Sequence, residues 1–229
     1  MIVYGRNPVR EALRGPRRVE RVWATPGASR EPWLGGVPVE VVRDAEAIAR
    51  RAGSEAHQGI CAEVEAFRYA DEAALLSAPA PLLVALDEVQ DPQNLGAVAR
   101  SAEVAGATGL IIPERRSAEV TAAVCKASAG AVEHLPVARV RNLADFLAAA
   151  KDAGLWSYGA AADAPTRYDQ VDLSGGVVLV LGAEGKGLRP RVAKSCDALI
   201  SLPVRGRIDS LNVSAAAAVL LYAAAAARD

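Results

Sequence analysis

The sequence predicts an α/β protein in two parts, a small N-terminal layered unit followed by a larger domain built on a parallel sheet. Three observations carry this. Strand-like and helix-like segments alternate along nearly the whole chain. Two runs, LLVALD at 82–87 and VVLVLG at 177–182, are continuously apolar, as expected of strands covered on both faces. Residues 68–81 change character, from a short helical stretch to small residues and two prolines. A linker is placed there, between domains at 1–67 and 82–229.

In the first part, Asn7-Pro8 reads as a helix start, an N-cap followed by proline at the first helical position. Val9, Ala12 and Leu13 give that helix an apolar stripe. VERVWAT at 19–25 and VPVEVV at 37–42 are β-rich runs. Asp44 caps a second helix through Ala52, which Gly53 stops. ICAEVEAF at 60–67 is a further strand, so the order is roughly β-α-β-(α)-β-α-β. In the second part, strand 82–87 is followed by a helix over 94–106 and the strand TGLIIP at 108–113. A helix over 118–130 and the strand HLPVARV at 134–140 come next. Asn142 caps the helix LADFLAAAKDAG, and LWSYGAA at 155–161 is a strand. After the strand at 177–182 come a short helix near Pro190–Lys194, the strand ALISLP at 198–203 and a long helix from Leu211.

The 229 residues are 52% hydrophobic and 23% charged, which fits a packed protein. A net charge of −1 excludes a uniformly basic nucleic-acid binder but allows local patches. Two exist. Residues 1–30 hold seven arginines (6, 10, 14, 17, 18, 21 and 30) against Glu11 and Glu20, and residues 184–209 hold six basic residues against three acidic ones. The alternative for Arg17, Arg18 and Arg21 is a solvated surface. No segment approaches the roughly 20 strongly apolar residues of a membrane span, and the N-terminus has no secretory pattern. Cys61, Cys125 and Cys196 are far apart and odd in number, and His57 and His134 are the only histidines. Neither a disulfide framework nor a metal site is indicated, and little room is left for a histidine-based triad. A reducing cytoplasm is the simplest setting, with the cysteines as small buried residues.

Three loops follow apolar strands, over 87–102, 181–188 and 202–214, and ligands in open α/β sheets bind at the carboxyl ends of strands. GAEGKGL is not a P-loop: Gly182 and Gly185 are three apart, and Gly187 stands where Ser or Thr would hold magnesium. VALDEVQDP lacks the glycine-rich turn of a dinucleotide site.

DPQNLGAVARSAEVAGATGLII, VLVLGAEGKGLRP and ISLPVRGRIDSLNVSAAAAVLLY, in that order over about 82–227, resemble the three motifs of the SpoU/TrmH family of RNA ribose 2'-O-methyltransferases, within the SPOUT superfamily. GRNPVREAL and HQGICAEV resemble the small RNA-binding domain of its RlmB-like branch, which methylates a guanosine ribose of 23S rRNA. The resemblance implies a deep trefoil knot, a homodimer, S-adenosylmethionine as cofactor and RNA as substrate. It implies catalytic roles for Asn94, Arg100, Glu184, Ser210 and Asn212. It implies a cofactor site at Gly182, Ala183, Gly185, Gly187, Leu202, Pro203, Ser210, Leu211 and Asn212. Val204 departs from the family's frequent methionine. Arg6, Arg10 and Arg14 of the first basic patch, with Arg100, are the candidate RNA contacts. A tRNA ribose methyltransferase and a non-catalytic RNA-binding relative are the alternatives, and the five intact motif residues argue against the latter.

The residue types suit such chemistry. The cofactor brings an activated methyl group, so the protein has to place the hydroxyl in line and help it lose its proton. Arg100 serves either as a base in a special environment or as a phosphate-binding charge that lowers the hydroxyl's pKa, since a guanidinium normally stays protonated. Each residue also has a plain structural reading. Asn94 could cap the helix after it, Arg100 could be an exposed helix arginine, and Glu184 a surface charge. Ser210 could cap the last helix, Asn212 could satisfy backbone groups, and the glycines could be turn residues. His57 and Gln58 fit either an RNA contact or a turn before a strand.

Overall fold

A computed structural model of the chain describes residues 1–183 and 185–228. The first part holds a four-stranded sheet of β1 (Ile2–Tyr4), β2 (Val19–Ala24), β3 (Glu40–Val41) and β4 (Ile60–Val64), in the order β1-β4-β2-β3. β4 runs antiparallel to both β1 and β2, and β3 parallel to β2. Helices α1 (Arg6–Arg14) and α2 (Ala45–Ala52) belong to it. α1 starts earlier than the sequence indicates. Gly5, at φ 96°, is the N-cap, a conformation that favours glycine, and Asn7 and Pro8 fall in the first turn. Proline is harmless there because first-turn N–H groups have no acceptor within the helix. Asp44 caps α2 by accepting from Ala47 N, and Gly53 ends it at φ 63°. Two 3-10 turns, Ala28–Arg30 and Pro32–Leu34, take the place of the bracketed helix, and the run at 37–42 pairs only at Glu40–Val41. That short edge is exposed and has little apolar area to anchor a longer ladder.

The second part is a seven-stranded, wholly parallel sheet in the order β7-β6-β5-β10-β8-β11-β9. Its elements are α3 (Glu72–Leu76), β5 (Leu82–Asp87), α4 (Pro92–Val104), β6 (Gly109–Pro113), α5 (Ala122–Ala127), β7 (Val137–Val140), α6 (Leu143–Asp152), β8 (Trp156–Ala160), β9 (Thr166–Arg167), β10 (Val177–Gly182), α7 (Pro190–Ser195), β11 (Ala198–Ser201) and α8 (Val213–Ala226). The helix expected over 118–130 shrinks to α5: Thr121 is extended at its start, and beyond its end Ala129 and Gly130 take left-handed conformations at φ 53° and 92°. The last helix starts two residues after Leu211, with Asn212 as its cap.

Strand alternation divides the core. Leu82, Val84, Leu86, Val177, Leu179 and Leu181 face the layer of α4 and α8, while Leu83, Ala85, Val178 and Val180 face α6 and α7. The first layer continues without a break into Val3, Val9, Ala12 and Ile60, so the two sheets share one core. Arg228 fastens the end of α8 to the sheet, donating to the carbonyls of Ala80 (2.9 Å), Leu173 (3.2 Å) and Gly175.

Residues 68–81 are packed down. Tyr69 Oη accepts from Val120 N (3.0 Å), Ala70 bridges Ala138, and Leu75 of α3 is buried. Arg17 belongs to neither a phosphate patch nor a solvated surface. Its side chain is 5% exposed and pairs with Glu133, 1% exposed, through Nε–Oε2 (2.8 Å) and Nη2–Oε1, while Nη1 donates to Glu65 O (2.9 Å). Burial pulls the guanidinium pKa down, and the Glu133 hydrogen bonds more than offset it, so the group stays charged. The guanidinium also covers the Phe67 ring at 5.4 Å, and Arg139 covers Tyr69 at 5.1 Å. Among the described residues, no helix is long and apolar enough to cross a membrane.

Candidate active site

β5 and β10 lie side by side at the centre of the large sheet, with β6 and β7 beyond one of them and β8, β11 and β9 beyond the other. Strand order reverses between them, and such a switch point opens a crevice at the carboxyl ends. The segments after β5, β10 and β11 meet there. Asp91 caps α4, accepting from Gln93 N (2.9 Å), with Pro92 at the first helical position. The capping role is therefore taken, and Asn94, half-buried in the first turn, is left to a side-chain partner: Asn212 Nδ2 donates to Asn94 Oδ1 at 3.0 Å. Asn212 caps α8 as well. Its Oδ1 accepts from Ser214 N (2.9 Å) and Ser214 Oγ (2.6 Å), which fixes the amide with Nδ2 toward Asn94. One asparagine pair thus joins segments 118 residues apart in the chain.

Ser210 is exposed and donates to Asp209 Oδ1 (3.1 Å), so it does not cap α8. Arg100 is exposed on α4, Leu202 is half-buried, and Pro203 and Leu211 are exposed in the segment leading to α8. Glu184 lies outside the described residues.

The turn after β10 is built from close backbone contacts. A Cβ on Gly182 would lie 2.1 Å from Gly187 C, 2.2 Å from Gly187 O and 2.4 Å from Leu188 N. Gly187 N donates to Ala183 O (2.9 Å), and Gly185 and Gly187 hold φ 73° and 64°. Gly185 and Gly187 are exposed, so at these two positions the main chain reaches solvent without a side chain of its own.

Sequence reasoning missed the clamp on this turn. Asp87, fully buried at the end of β5, accepts from Arg189 N (2.8 Å), Nε (2.8 Å) and Nη2 (2.7 Å). Its hydrogen bonds push the Arg189 guanidinium pKa further up, so the arginine stays charged. The available signal was a carboxylate closing an otherwise apolar strand, which needs a cation when both faces are covered.

Arg6, Arg10 and Arg14 lie four residues apart on α1 and form one stripe, their side chains 51%, 37% and 60% exposed. Glu31 pairs with Arg6 (2.9 Å), and Glu11 with Arg10 (2.7 Å) and Arg14 (3.4 Å), so the stripe is partly neutralised. His57 is buried and its Nδ1 accepts from Gly59 N (2.9 Å), the turn reading of that residue. Burial pushes the thiols up, Cys61 to about 11 and Cys125 and Cys196 to about 12, which leaves them unreactive at neutral pH. Two surface cavities lie elsewhere. One of 290 Å³ sits at the joint beside Arg17 and Phe67, and one of 510 Å³ lies beside Arg139 and Asn142.

Residues 81–222 match the model of the SpoU rRNA Methylase family, and residues 2–70 match that of the RNA 2'-O ribose methyltransferase substrate-binding domain. YacO of Bacillus subtilis, named for the TrmH family of tRNA/rRNA methyltransferases, is 37% identical over 240 residues, covering 96% of this chain and 93% of YacO. An uncharacterized tRNA/rRNA methyltransferase of Synechocystis is 39% identical over 235 residues. This covers 96% of the chain but 61% of that relative, so the chain spans about three fifths of its length. Among solved structures, the SpoU methyltransferase AviRb of Streptomyces viridochromogenes in complex with AdoMet superposes with a TM-score of 0.84 at 26% identity, over 100% of this chain and 90% of AviRb. An AdoMet-bound rRNA methyltransferase of Sinorhizobium meliloti superposes with a TM-score of 0.82 at 27% identity, over 97% of this chain and 85% of that one. With both parts of the chain matched and the loops converging at the β5–β10 crevice, the chain belongs to the SpoU family of RNA methylases.

Proposed function

We propose that the chain is an S-adenosylmethionine-dependent RNA methyltransferase that modifies a ribose 2'-hydroxyl, with a guanosine of 23S rRNA as its substrate. The asparagine pair at the β5–β10 crevice carries the reading, because it ties the first and third motif segments into one site. The residues present suit the cofactor: Gly182 lets the turn after β10 fold back tightly on Gly187, and Gly185 and Gly187 are exposed positions whose main chain carries no side chain. Gly182, Ala183, Gly185, Gly187, Leu202, Pro203, Ser210, Leu211 and Asn212 would hold it. When bound, S-adenosylmethionine supplies the activated methyl group. Asn94 and Asn212 hold the loops in register, and Glu184 and Ser210 orient the ribose. Arg100 lies on exposed helix surface, free of the burial that a basic guanidine would need, and it holds an RNA phosphate and favours the ribose alkoxide electrostatically. The match of residues 2–70 to a substrate-binding domain supports a division of labour in which 1–67 bind RNA, 68–81 connect and 82–229 transfer the methyl group.

The reading extends to a knotted C-terminal region, a cytoplasmic setting and a homodimer. Ala215, Val219, Tyr222 and Ala226 supply an exposed stripe along α8, and Val219 and Tyr222 are 41% and 56% exposed, which supports a second copy packing there. Light scattering is expected to give the dimer mass.

Substituting Gly182→Ala is expected to lower unfolding free energy by about 1–3 kcal/mol. It should also weaken cofactor binding tenfold or more, about 1.4 kcal/mol. Thermal unfolding and calorimetric titration with S-adenosylmethionine read the two effects, and wild-type affinity in a folded variant would remove the turn from the cofactor site. The substrate is settled by mass-spectrometric mapping of ribose methylation in rRNA and tRNA from a deletion strain. Loss of one guanosine methyl from 23S rRNA is expected. A loss confined to tRNA makes tRNA the substrate, and no lost methyl group sinks the assignment.

A further inference from the structure

The joint between the two sheets holds a cation that neither the basic stripe nor the reaction loops account for. Lys126, on α5, projects into a crease against the start of α1. Its Nζ lies so close to Gly5 that a Cβ there would stand 2.4 Å from it. Gln58 fixes it in place: Gln58 Oε1 accepts from Lys126 Nζ (2.9 Å) and from Arg6 N (3.0 Å). The crease is built from unusual backbone. Gly5, Gln58 and Gly59 are all left-handed, at φ 96°, 56° and 80°. For Gln58, a non-glycine residue, that conformation costs on the order of 1 kcal/mol, and such strain gathers at working sites.

Lys126 is also poorly compensated. It is partly buried, and among the described residues no carboxylate lies within ion-pair distance of it. An ammonium has three donors, and among the described residues only a neutral amide oxygen accepts from this one. Burial without a counter-charge pulls its pKa below the usual lysine value. The cost of holding a cation there is offset once an anion arrives. Position says which anion. On one side the crease opens at Arg6, the first residue of the arginine stripe on α1. On the other, Ala127 packs on Gly96 of α4, two residues from Asn94.

We propose that Lys126, presented by Gln58, binds a phosphodiester of the RNA substrate where the strand passes from the α1 stripe to the reaction loops. The proposal rests on the reading of the chain as an RNA methyltransferase. It makes Gln58 a positioning residue and Lys126 a substrate contact on the methyl-transfer domain itself.

Filter binding of 23S rRNA and of bulk tRNA over a potassium chloride series tests it. Lys126→Gln keeps a neutral N–H donor for Gln58 and removes the charge. It is expected to weaken RNA binding about threefold to tenfold and to lower the slope of log affinity against log salt by about 0.7–0.9, one phosphate contact. Lys126→Arg should restore the slope. Calorimetric affinity for S-adenosylmethionine should stay at the wild-type value in both, which a merely structural defect would not give. A Lys126→Gln protein with wild-type melting temperature, affinity and slope overturns the proposal while leaving the enzyme reading intact. Wild-type protein that binds neither RNA overturns both.

Discussion

Replacing Arg100 by alanine is expected to lower the rate constant for methyl transfer by about 10²–10³-fold, with S-adenosylmethionine affinity nearly unchanged. The expected size follows from the chemistry. A ribose hydroxyl is a poor nucleophile, and the developing negative charge on its oxygen is where a fixed cation helps most. Arg100 is exposed on α4, six residues beyond Asn94, so its removal leaves the core of α4 (Leu95, Val98, Ala99 and Ala102) intact. Arg100→Lys separates the two ways in which the residue can act. Lysine keeps the charge and loses the two-pronged grip on phosphate. With an electrostatic Arg100, the lysine variant is slower at every pH and its pH–rate limb stays in place. With a basic Arg100, the limb moves to lower pH, because an amine gives up its proton roughly two units or more below a guanidinium. Near-normal turnover by Arg100→Ala would sink both versions.

The second large effect is expected at the joint between the sheets. Glu133→Ala strands the Arg17 guanidinium, 5% exposed, without its carboxylate, and breaking one partner of a buried pair costs about 3–5 kcal/mol. Glu133→Gln keeps an acceptor and should lose less. The informative control removes both charges. Arg17→Met with Glu133→Leu leaves no buried ion, and the double variant should recover most of the lost stability, since paired burial repays little beyond its own desolvation. Urea denaturation of the three variants measures this. A single variant with the wild-type midpoint would mean that water reaches the pair, contrary to its burial.

The two central strands of the large sheet were legible because burial on both faces leaves a short unbroken apolar run: LLVALD and VVLVLG match β5 and β10 residue for residue. Caps were legible where the capping side chain acts locally, as at Asp44 and Asn142. β9 was missed because two residues, Thr166 half-buried and Arg167 exposed, carry no periodicity. α5 was drawn too long because the composition of 118–130 favours a helix, while Ala129 adopts a left-handed backbone that its side chain does not advertise. In the candidate site, the motif order pointed to Asn94 and Asn212, but Asp91 as the cap of α4 and the contact between the two amides required the fold. The contacts that stayed hidden span the chain. Arg17 meets Glu133 across 116 residues and Arg189 meets Asp87 across 102, and in the sequence those arginines are indistinguishable from surface ones.

The joint also bears on how such proteins can be recombined. A module that swaps freely between enzymes hangs on a slack connector and carries its own finished core. Here the connector is pinned by Tyr69, Ala70 and Leu75, one hydrophobic cluster runs through both sheets, and the lock has its bolt on one side in Arg17 and its socket on the other in Glu133. Grafting the N-terminal unit of this chain onto another transferase would therefore fail unless the receiving domain brought an acidic socket at the same place. The unit of exchange, in a gene or on a workbench, is the whole pair.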